Sequence, residues 1–343
     1  MSKQGQDSLS PTLEQVAALA GVSRATVSRV VNGSPKVLPD TVAAVEQAIL
    51  ELGYVPNRAA RALVTRRTDS IAIVVPEPDS RVFSDPFFAG MLSGVSRTLA
   101  QTSSQLVLLI EPAPEPTGVD DQRLLRYLRG GHVDGAIIIS HHGRDNVLQE
   151  LAQLPLPIVF SARPLGVDVP VASVDVDNVA GARTGVEHLL SIGRRKVATV
   201  AGPLDMTAGI DRLTGYQEVM KEAGLPAMIA YGDFTADGGE QATLRLLDEH
   251  PDLDGLFVAS DLMATAALRV LSQHNRRVPA DVAVVGFDDS VLATTTTPKL
   301  TTVRQPVEQL GARLAEILLA KIAGADLTAP EIYATELIIR DSA

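Results

Sequence analysis

Residues 12–31, TLEQVAALAGVSRATVSRVV, most constrain what this chain can fold into. Small Ala17 is followed four residues later by Gly21, and Val27 and Val30 come ten and thirteen residues after Ala17. Two helices that cross at a tight turn need a small residue at the crossing, a turn residue that accepts positive φ and apolar side chains beneath. The spacing therefore predicts a helix-turn-helix, with an ordinary helical hairpin as the alternative.

Capping residues mark where the predicted helices begin. Thr12 is followed three residues later by Gln15, the pattern of a capping box, and Ser23 stands where it can cap the second helix. A third helix is predicted in PDTVAAVEQAILELGY, which has Pro39 in its first turn and Gly53 just past its end. These segments together predict an all-α head over residues 1–56.

The second helix, from about Arg24, is predicted to enter the major groove of DNA. Arginine can pair with guanine through two hydrogen bonds, alanine can touch a thymine methyl, and hydroxyls can reach bases or phosphates. Arg29 is the strongest candidate for a base contact, and a phosphate contact is the alternative for every residue. The candidates in this segment are Thr12, Ser23, Arg24, Ala25, Thr26, Ser28, Arg29 and Asn32.

Charge is divided unevenly along the chain of 343 residues, whose net charge is −11. Residues 1–67 hold eight Lys or Arg against five Asp or Glu, and the remaining residues hold 22 against 36. A basic head releases counterions when it binds phosphates, so DNA binding is expected to depend strongly on salt. Chance asymmetry of a few charges is the alternative.

Several classes of protein are disfavoured by what the sequence lacks. Without cysteine there are no disulfides or thiolate metal sites, and the apolar runs are too short for a membrane span. The polar start MSKQGQDSLSPT does not look like a signal peptide, so we expect a cytoplasmic protein without a membrane partner. We see no Walker lysine loop, nucleophile elbow or histidine cluster, so we expect no enzyme, no metal and no cofactor.

The body, residues 68–343, alternates short apolar runs with amphipathic segments. Runs such as IAIVV at 71–75 and VAVVG at 282–286 are separated by helices of ten to fifteen residues, which indicates parallel sheets covered on both faces. Two such units, near 68–163 and 164–290, predict an α/β body of two doubly wound lobes. Ligands of such sheets bind beyond the carboxyl ends of the strands, so a site is expected in the cleft between the lobes.

Several segments resemble the lac repressor (LacI/GalR) family of bacterial transcription regulators, among them GVSRATVSRVVNG and ELGYVPNRAARAL, and the similarity covers essentially the whole chain. The resemblance implies a body similar to periplasmic sugar-binding proteins. It also implies that residues 57–67 are a hinge helix and linker that fold on operator DNA and insert Leu63 into the minor groove. Leu38 departs from the polar cap usual in the family. The DNA contacts implied in this region are Tyr54, Asn57, Arg58, Ala60 and Leu63.

Loop residues of the body have the chemistry that a neutral polyhydroxylated ligand needs. Carboxylates and arginine forks pair with hydroxyls, and an aromatic face packs against the CH surface of a sugar. In the family, the positions matching Arg212, Phe234, Ser260, Asp288 and Gln305 line the effector cleft. The full set of candidates for effector binding is Phe87, Arg163, Arg212, Asp233, Phe234, Ser260, Asp288 and Gln305.

Finer similarity points to the effector and the assembly. The runs GPLDMTAGIDRLTGY and YGDFTADGG look most like actinobacterial repressors that respond to cellobiose or related β-glucosides, which implies a sugar inducer. A purine corepressor stays open as an alternative. Because one head has few base contacts, we expect a homodimer on a pseudopalindromic operator. No leucine heptad follows EIYATELIIRDSA, so nothing indicates a tetramer-forming tail.

Two readings from other classes also stay open. A transport-type sugar-binding protein would share the two lobes, but it would need an export signal and would have no helix-turn-helix. His141 and His142 are expected on a loop surface. An α/β enzyme could draw its acid and base from four aspartates, Asp233, Asp261, Asp288 and Asp289.

Overall fold

The computed structural model describes residues 11–31, 36–55, 67–110, 122–143 and 147–343. The chain divides into two compact units, a head within residues 1–68 and a body over residues 69–343.

The head contains the predicted helix-turn-helix and third helix as α1 (Leu13–Ala20), α2 (Arg24–Val31) and α3 (Pro39–Leu52). The capping box is confirmed, because the Thr12 amide donates to Gln15 Oε1 at 2.8 Å and the Gln15 amide donates to Thr12 Oγ1 at 3.4 Å. Gly21 ends α1 with a φ of 67°, which explains the need for glycine in the turn. Ser23 caps α2 by accepting from the Thr26 amide at 3.1 Å.

A small apolar core holds the three helices of the head together. Val16, Val27 and Val45 are fully buried in it, as the apolar spacing predicts for the first two helices. Leu38 precedes α3 without a side-chain cap, and Pro39 at the first helical position fixes the backbone there. The departure from a polar cap therefore leaves the fold of the head unchanged.

The body contains two parallel-rich sheets, as predicted. Its strands, in chain order, are β1 (Ser70–Val75), β2 (Gln105–Ile110), β3 (Gly135–Ile138), β4 (Ile158–Ser161), β5 (Ala172–Val176), β6 (Val197–Ala201), β7 (Met228–Tyr231), β8 (Gly255–Val258), β9 (Ala283–Asp288), β10 (Thr301–Arg304), β11 (Pro330–Tyr333) and β12 (Glu336–Ile338). The sheet of the first lobe has the order β11-β5-β4-β3-β1-β2, and that of the second has the order β12-β10-β9-β8-β6-β7. Only the pairing of β10 with β12 is antiparallel among the described strands.

Helices connect the strands of each lobe. They are α4 (Asp79–Ser84), α5 (Pro86–Leu99), α6 (Gln122–Arg129), α7 (Val147–Ala152), α8 (Asn178–Ser191), α9 (Thr207–Glu222), α10 (Ala236–Glu249), α11 (Asp261–Gln273), α12 (Val291–Thr295) and α13 (Val307–Ile322). Among the helices of the described segments, none is long and apolar enough to cross a membrane.

The boundary between the lobes differs from the predicted one near residue 163. Strand β5 still belongs to the first lobe, and the chain crosses to the second lobe only after Val176. It returns with α13, which packs on α5 and on the first sheet, and it crosses once more between β11 and β12. The simple division at 163 was wrong because the last segments of the chain are shared between both lobes.

Helices α5 and α13 pack so closely that only glycine fits at the crossing. A Cβ atom at Gly94 would overlap the backbone oxygen of Glu308, and one at Gly311 would overlap the backbone oxygen of Met91. The first lobe thus depends on two backbones in direct contact, and any side chain there forces the helices apart.

We predict that Gly94→Ala destabilises the body by roughly 1–3 kcal/mol, because the added methyl group must displace α13. Chemical denaturation of the full chain, followed by circular dichroism, measures the change. Ser96→Ala on the exposed side of α5 is the matched control and should cost no more than about 0.5 kcal/mol. Equal denaturation midpoints for the two variants would contradict the close contact.

Candidate functional sites

The outward face of α2 is exposed to solvent in the head. Ser23, Arg24, Ala25 and Arg29 are exposed, whereas Val27 between them is buried against the other helices. Thr26 and Ser28 are half-buried. The predicted distinction between an inward apolar side and an outward polar side is therefore confirmed, and the outward side carries the side chains expected to meet bases and phosphates.

Arg24 already has a partner in the head. Its Nε lies 2.9 Å from Glu14 Oε1 of α1, and both side chains are mostly exposed. An exposed ion pair of this kind contributes little to stability, so a phosphate or a base can compete for the guanidinium at small cost.

Tyr54 lies in the core of the head, and its contact with DNA stays a prediction. Only 8% of the residue is exposed, and its ring packs with the buried side chains of α1, α2 and α3. Five other predicted contacts lie outside the described residues, namely Asn32, Asn57, Arg58, Ala60 and Leu63.

A cavity lies between the two lobes of the body, where the carboxyl ends of both sheets face each other. The strands that precede its lining residues include β3, β4 and β5 of the first lobe and β8, β9 and β10 of the second. This is the place that the parallel topology predicts for a ligand. Six predicted residues line the cavity, namely Phe87, Arg212, Phe234, Ser260, Asp288 and Gln305.

Two predicted effector residues lie outside this cavity. The side chain of Arg163 is 58% exposed and pairs with Asp211 at 3.1 Å. The carboxylate of Asp233 accepts hydrogen bonds from the amide and the hydroxyl of Thr235, at 2.9 and 2.6 Å, just before α10. Both residues follow strands, as predicted, but the side chain of Arg163 is paired with Asp211 of the other lobe and that of Asp233 with the nearby Thr235.

Arg212 is the buried cation of the cavity, with 5% of the residue exposed. Its Nε donates to Asn178 Oδ1 at 2.9 Å, and one terminal nitrogen donates to the Ala259 carbonyl at 2.6 Å. The same nitrogen lies 3.5 Å from Asp288 Oδ1, and the guanidinium stacks 3.6 Å from the ring centroid of Phe287. These contacts fix the guanidinium as a rigid fork, so its orientation towards a ligand is set in advance.

Asp288 faces Arg212 across the cavity wall. Burial raises the pKa of this carboxyl to about 7, although Arg212 favours the ionised form. Gln305 donates to Asp288 Oδ1 at 2.6 Å and so fixes the carboxyl group. Asp288 can therefore accept or donate a hydrogen bond near neutral pH, as a sugar hydroxyl requires.

The other three aspartates considered for acid–base chemistry do not line the cavity. Asp261 is fully buried and accepts from the Thr302 hydroxyl at 2.6 Å and the Ser290 amide at 2.7 Å. Asp289 is paired with Arg304 and Arg340, and Asp233 is tied to Thr235. Of these four aspartates, Asp288 is therefore the one that lines the cavity.

The first lobe contributes side chains that the sequence patterns did not indicate. Arg81, Ser140 and Asp175 line the cavity, together with Asp85, which also caps α5 by accepting from the Phe87 amide at 3.0 Å. Burial raises the pKa of Asp175 to about 6. Arg81 and Asp175 have no local sequence signal that separates them from surface charges.

His141 corrects another expectation, because it is 3% exposed and lines the cavity instead of a loop surface. Burial lowers its pKa to about 4, so the ring is neutral at physiological pH. Its Nδ1 and the Nε of Arg81 are buried polar atoms without a hydrogen-bond partner within the described part of the chain. The two residues therefore bring unused hydrogen-bonding capacity to the wall of the cavity.

Aromatic rings complete the cavity. Phe234 is buried, and the guanidinium carbons of Arg81 and Arg212 lie 5.4 and 5.8 Å from its ring centroid. An apolar face framed by arginine forks and carboxylates suits a sugar ring, which has CH groups on its faces and hydroxyls at its edge. The positive charges of two arginines are nearly balanced by Asp85, Asp175 and Asp288, so a neutral ligand fits better than an ionic one.

Two family models match the chain. The model of the LacI family of bacterial regulatory proteins matches residues 12–57, and that of a periplasmic binding protein-like domain matches residues 186–343. Within the described residues, no group of three or more histidine or acidic side chains could hold a metal ion.

Known proteins are similar over almost the whole chain. The HTH-type transcriptional regulator CelR of Thermobifida fusca is 49% identical over 97% of this chain and 98% of its own. The ribose operon repressor of Halalkalibacterium halodurans is 34% identical over 96% of each chain.

Solved structures agree with this similarity. A transcriptional regulator CelR–cellobiose complex has a TM-score of 0.76 and 46% identity, covering 97% of this chain and 100% of the other. A lac repressor dimer bound to operator and the anti-inducer ONPF has a TM-score of 0.83 and 28% identity, covering 97% and 99%. The head with its helix-turn-helix, the two-lobed body and these relatives together identify the chain as a member of the LacI family of bacterial transcription regulators.

Proposed function

We propose that this chain is a transcriptional repressor that binds operator DNA in the cytoplasm and releases it when cellobiose or a related β-glucoside occupies the cavity. The observation that carries the proposal is the cavity itself, which is built from both lobes and combines apolar surface with charged groups of nearly balanced sign. The similarity of the chain to the regulator CelR, and to a solved CelR–cellobiose complex, supports the choice of a sugar over a purine.

Both lobes must contact the ligand for it to act as a switch. Arg81, Ser140 and Asp175 come from the first lobe, whereas Arg212 and Asp288 come from the second. A molecule bound to all of them favours the arrangement in which the lobes are close together, by the difference between its affinities for the two arrangements. Such coupling free energies are typically about 1–3 kcal/mol.

The DNA-binding side of the proposal keeps the predicted organisation. Residues 1–56 read the operator, residues 57–67 act as hinge helix and linker, and residues 68–343 bind the effector and dimerise. The solved lac repressor dimer on its operator supports a homodimer on a pseudopalindrome, with two heads one helical turn apart. In this proposal Leu63 enters the minor groove between the two half-sites, unstacks a base step and kinks the duplex.

Two steps test the function. Selection of bound sequences from random duplex DNA gives the operator, and release is then measured by fluorescence anisotropy with cellobiose, gentiobiose, galactose and hypoxanthine. Release by cellobiose or gentiobiose, with little effect of galactose, is the expected result. Tighter DNA binding that only hypoxanthine produces would instead identify a purine corepressor.

We predict that Arg29→Ala weakens binding to the selected operator by roughly 1–3 kcal/mol, because a base contact of the second helix is lost. Anisotropy titration with operator and with random duplex separates the base contact from a phosphate contact. Arg245→Ala, on an exposed helix of the body, is the control and should bind DNA as the wild type does. An equal loss on both duplexes would assign Arg29 to the phosphates.

We also predict that Arg212→Lys weakens cellobiose binding roughly tenfold to a hundredfold, because lysine keeps the charge but lacks the fork that meets a ligand. Isothermal titration calorimetry measures the affinity. The matched control is Arg245→Lys, since Arg245 is exposed, pairs with Glu249 of its own helix and does not line the cavity. If the Arg245 variant lost as much affinity as the Arg212 variant, the cavity would not be the sugar site.

A further inference from the structure

A histidine of the first lobe contacts the second lobe directly at the edge of the cavity. His142 follows β3, and its Nδ1 lies 2.9 Å from Oδ2 of Asp205, in the segment between β6 and α9. The next amide, that of Gly143, donates to the Asp205 carbonyl at 2.7 Å. Two adjacent residues of one lobe are therefore bound to one residue of the other.

The second ring nitrogen of His142 faces its own lobe. Nε2 lies 3.1 Å from Oε1 of Glu77, a residue that is buried just after β1. The same carboxylate oxygen accepts from the Ser140 hydroxyl at 2.7 Å and is paired with Arg81. Since Ser140 and Arg81 line the cavity, a continuous chain of hydrogen bonds runs from the cavity wall through Glu77 and His142 to the second lobe.

We propose that His142 is an interlobe latch: by bridging Glu77 and Asp205 it stabilises the closed arrangement of the lobes and thereby raises the affinity for the effector. The inference rests on the proposed function, in which the effector binds between the lobes. It adds a residue that does not line the cavity and acts on the ligand only through closure.

The charges around His142 favour its protonated form. Partial burial lowers the pKa of the ring, but hydrogen bonds to Glu77 and Asp205 outweigh burial and raise the pKa above its ordinary value. Glu77 stays ionised despite its burial, because hydrogen bonds from His142 and Ser140 and the charge of Arg81 keep its pKa low. The other titratable neighbour, His141, is neutral. Only the imidazolium can donate from both nitrogens to two carboxylates.

Closure of the lobes is expected to depend on pH because it changes the surroundings of His142. When the lobes separate, His142 loses its contact with Asp205 but keeps its contact with Glu77, which belongs to its own lobe. The closed form therefore holds the proton more tightly than the open form, so acid favours closure. This extra stability of the closed form is fully present below the pKa that His142 has in the open form. It is lost as the pH rises through the higher pKa that His142 has in the closed form.

Calorimetric titration of the full chain with cellobiose between about pH 5.5 and 8.5 tests the latch. We expect His142→Gln and Asp205→Asn each to weaken binding roughly three- to tenfold at the acid end, and the double variant to be no weaker than either. Because the pKa of Asp288 is about 7, titration of Asp288 also changes the affinity over this pH range. The contribution of His142 is therefore taken as the difference between the pH profiles of the wild type and of His142→Gln. That difference should shrink as pH rises.

A control and a sugar-free measurement make the outcome decisive. His132→Gln changes an exposed histidine that stacks on Tyr127 and should leave the affinity and its pH profile unchanged. Nuclear magnetic resonance titration of the histidine rings should show that Asp205→Asn lowers the pKa of His142 without any ligand.

Failure of the proposed function and failure of the latch give different results. If the wild type binds no cellobiose at any pH, the sugar proposal fails, and the ring titration alone decides on the latch. If the wild type binds cellobiose but His142→Gln keeps its affinity and its pH profile, the latch is wrong. A pKa of His142 that Asp205→Asn leaves unchanged would overturn it as well.

Discussion

The buried guanidinium of Arg212 is the constraint around which the body is organised. A cation with 5% exposure is costly unless its hydrogen bonds and charge are satisfied, and its partners come from three separate parts of the fold. Asn178 stands where the chain first enters the second lobe, Ala259 follows β8, and Asp288 ends β9. Satisfying one cation therefore fixes the crossover between the lobes and the ends of two strands at the cavity.

The same arrangement explains how a stable fold can respond to a small molecule. The second lobe presents a rigid set of polar groups, whereas the first lobe contributes Arg81 and His141, each with a buried nitrogen that lacks a partner among the described residues. A ligand that contacts these side chains together with Arg212 and Asp288 of the second lobe makes its full set of contacts only when the lobes are close together. Ligand binding is thus coupled to closure of the lobes. In the proposed latch, the contact between His142 and Asp205 adds a second, protonation-dependent contribution to closure.

The sequence predicted the head and the architecture of the body well, because helical and strand periodicity are local properties. Gly21 and the capping box of Thr12 were identified from spacing alone. Periodicity did not reveal β11 and β12, which are short and partly exposed, so the sharing of the last segments between lobes was missed. Arg163 and His141 were misplaced because their partners and burial depend on contacts between distant parts of the chain, which one sequence does not encode at a readable spacing. Asp233 is instead directed away by hydrogen bonds from Thr235, only two residues further along the chain.

The central claim is that binding of the effector to the body lowers the affinity of the protein for its operator, and that operator binding lowers the affinity for the effector. The direct measurement is a thermodynamic cycle, in which the affinity for cellobiose is determined with the free protein and with the operator-bound protein. The account predicts that operator weakens cellobiose binding by the same factor by which cellobiose weakens operator binding, on the order of tenfold or more. Equal affinities of the free and operator-bound protein for cellobiose would contradict it.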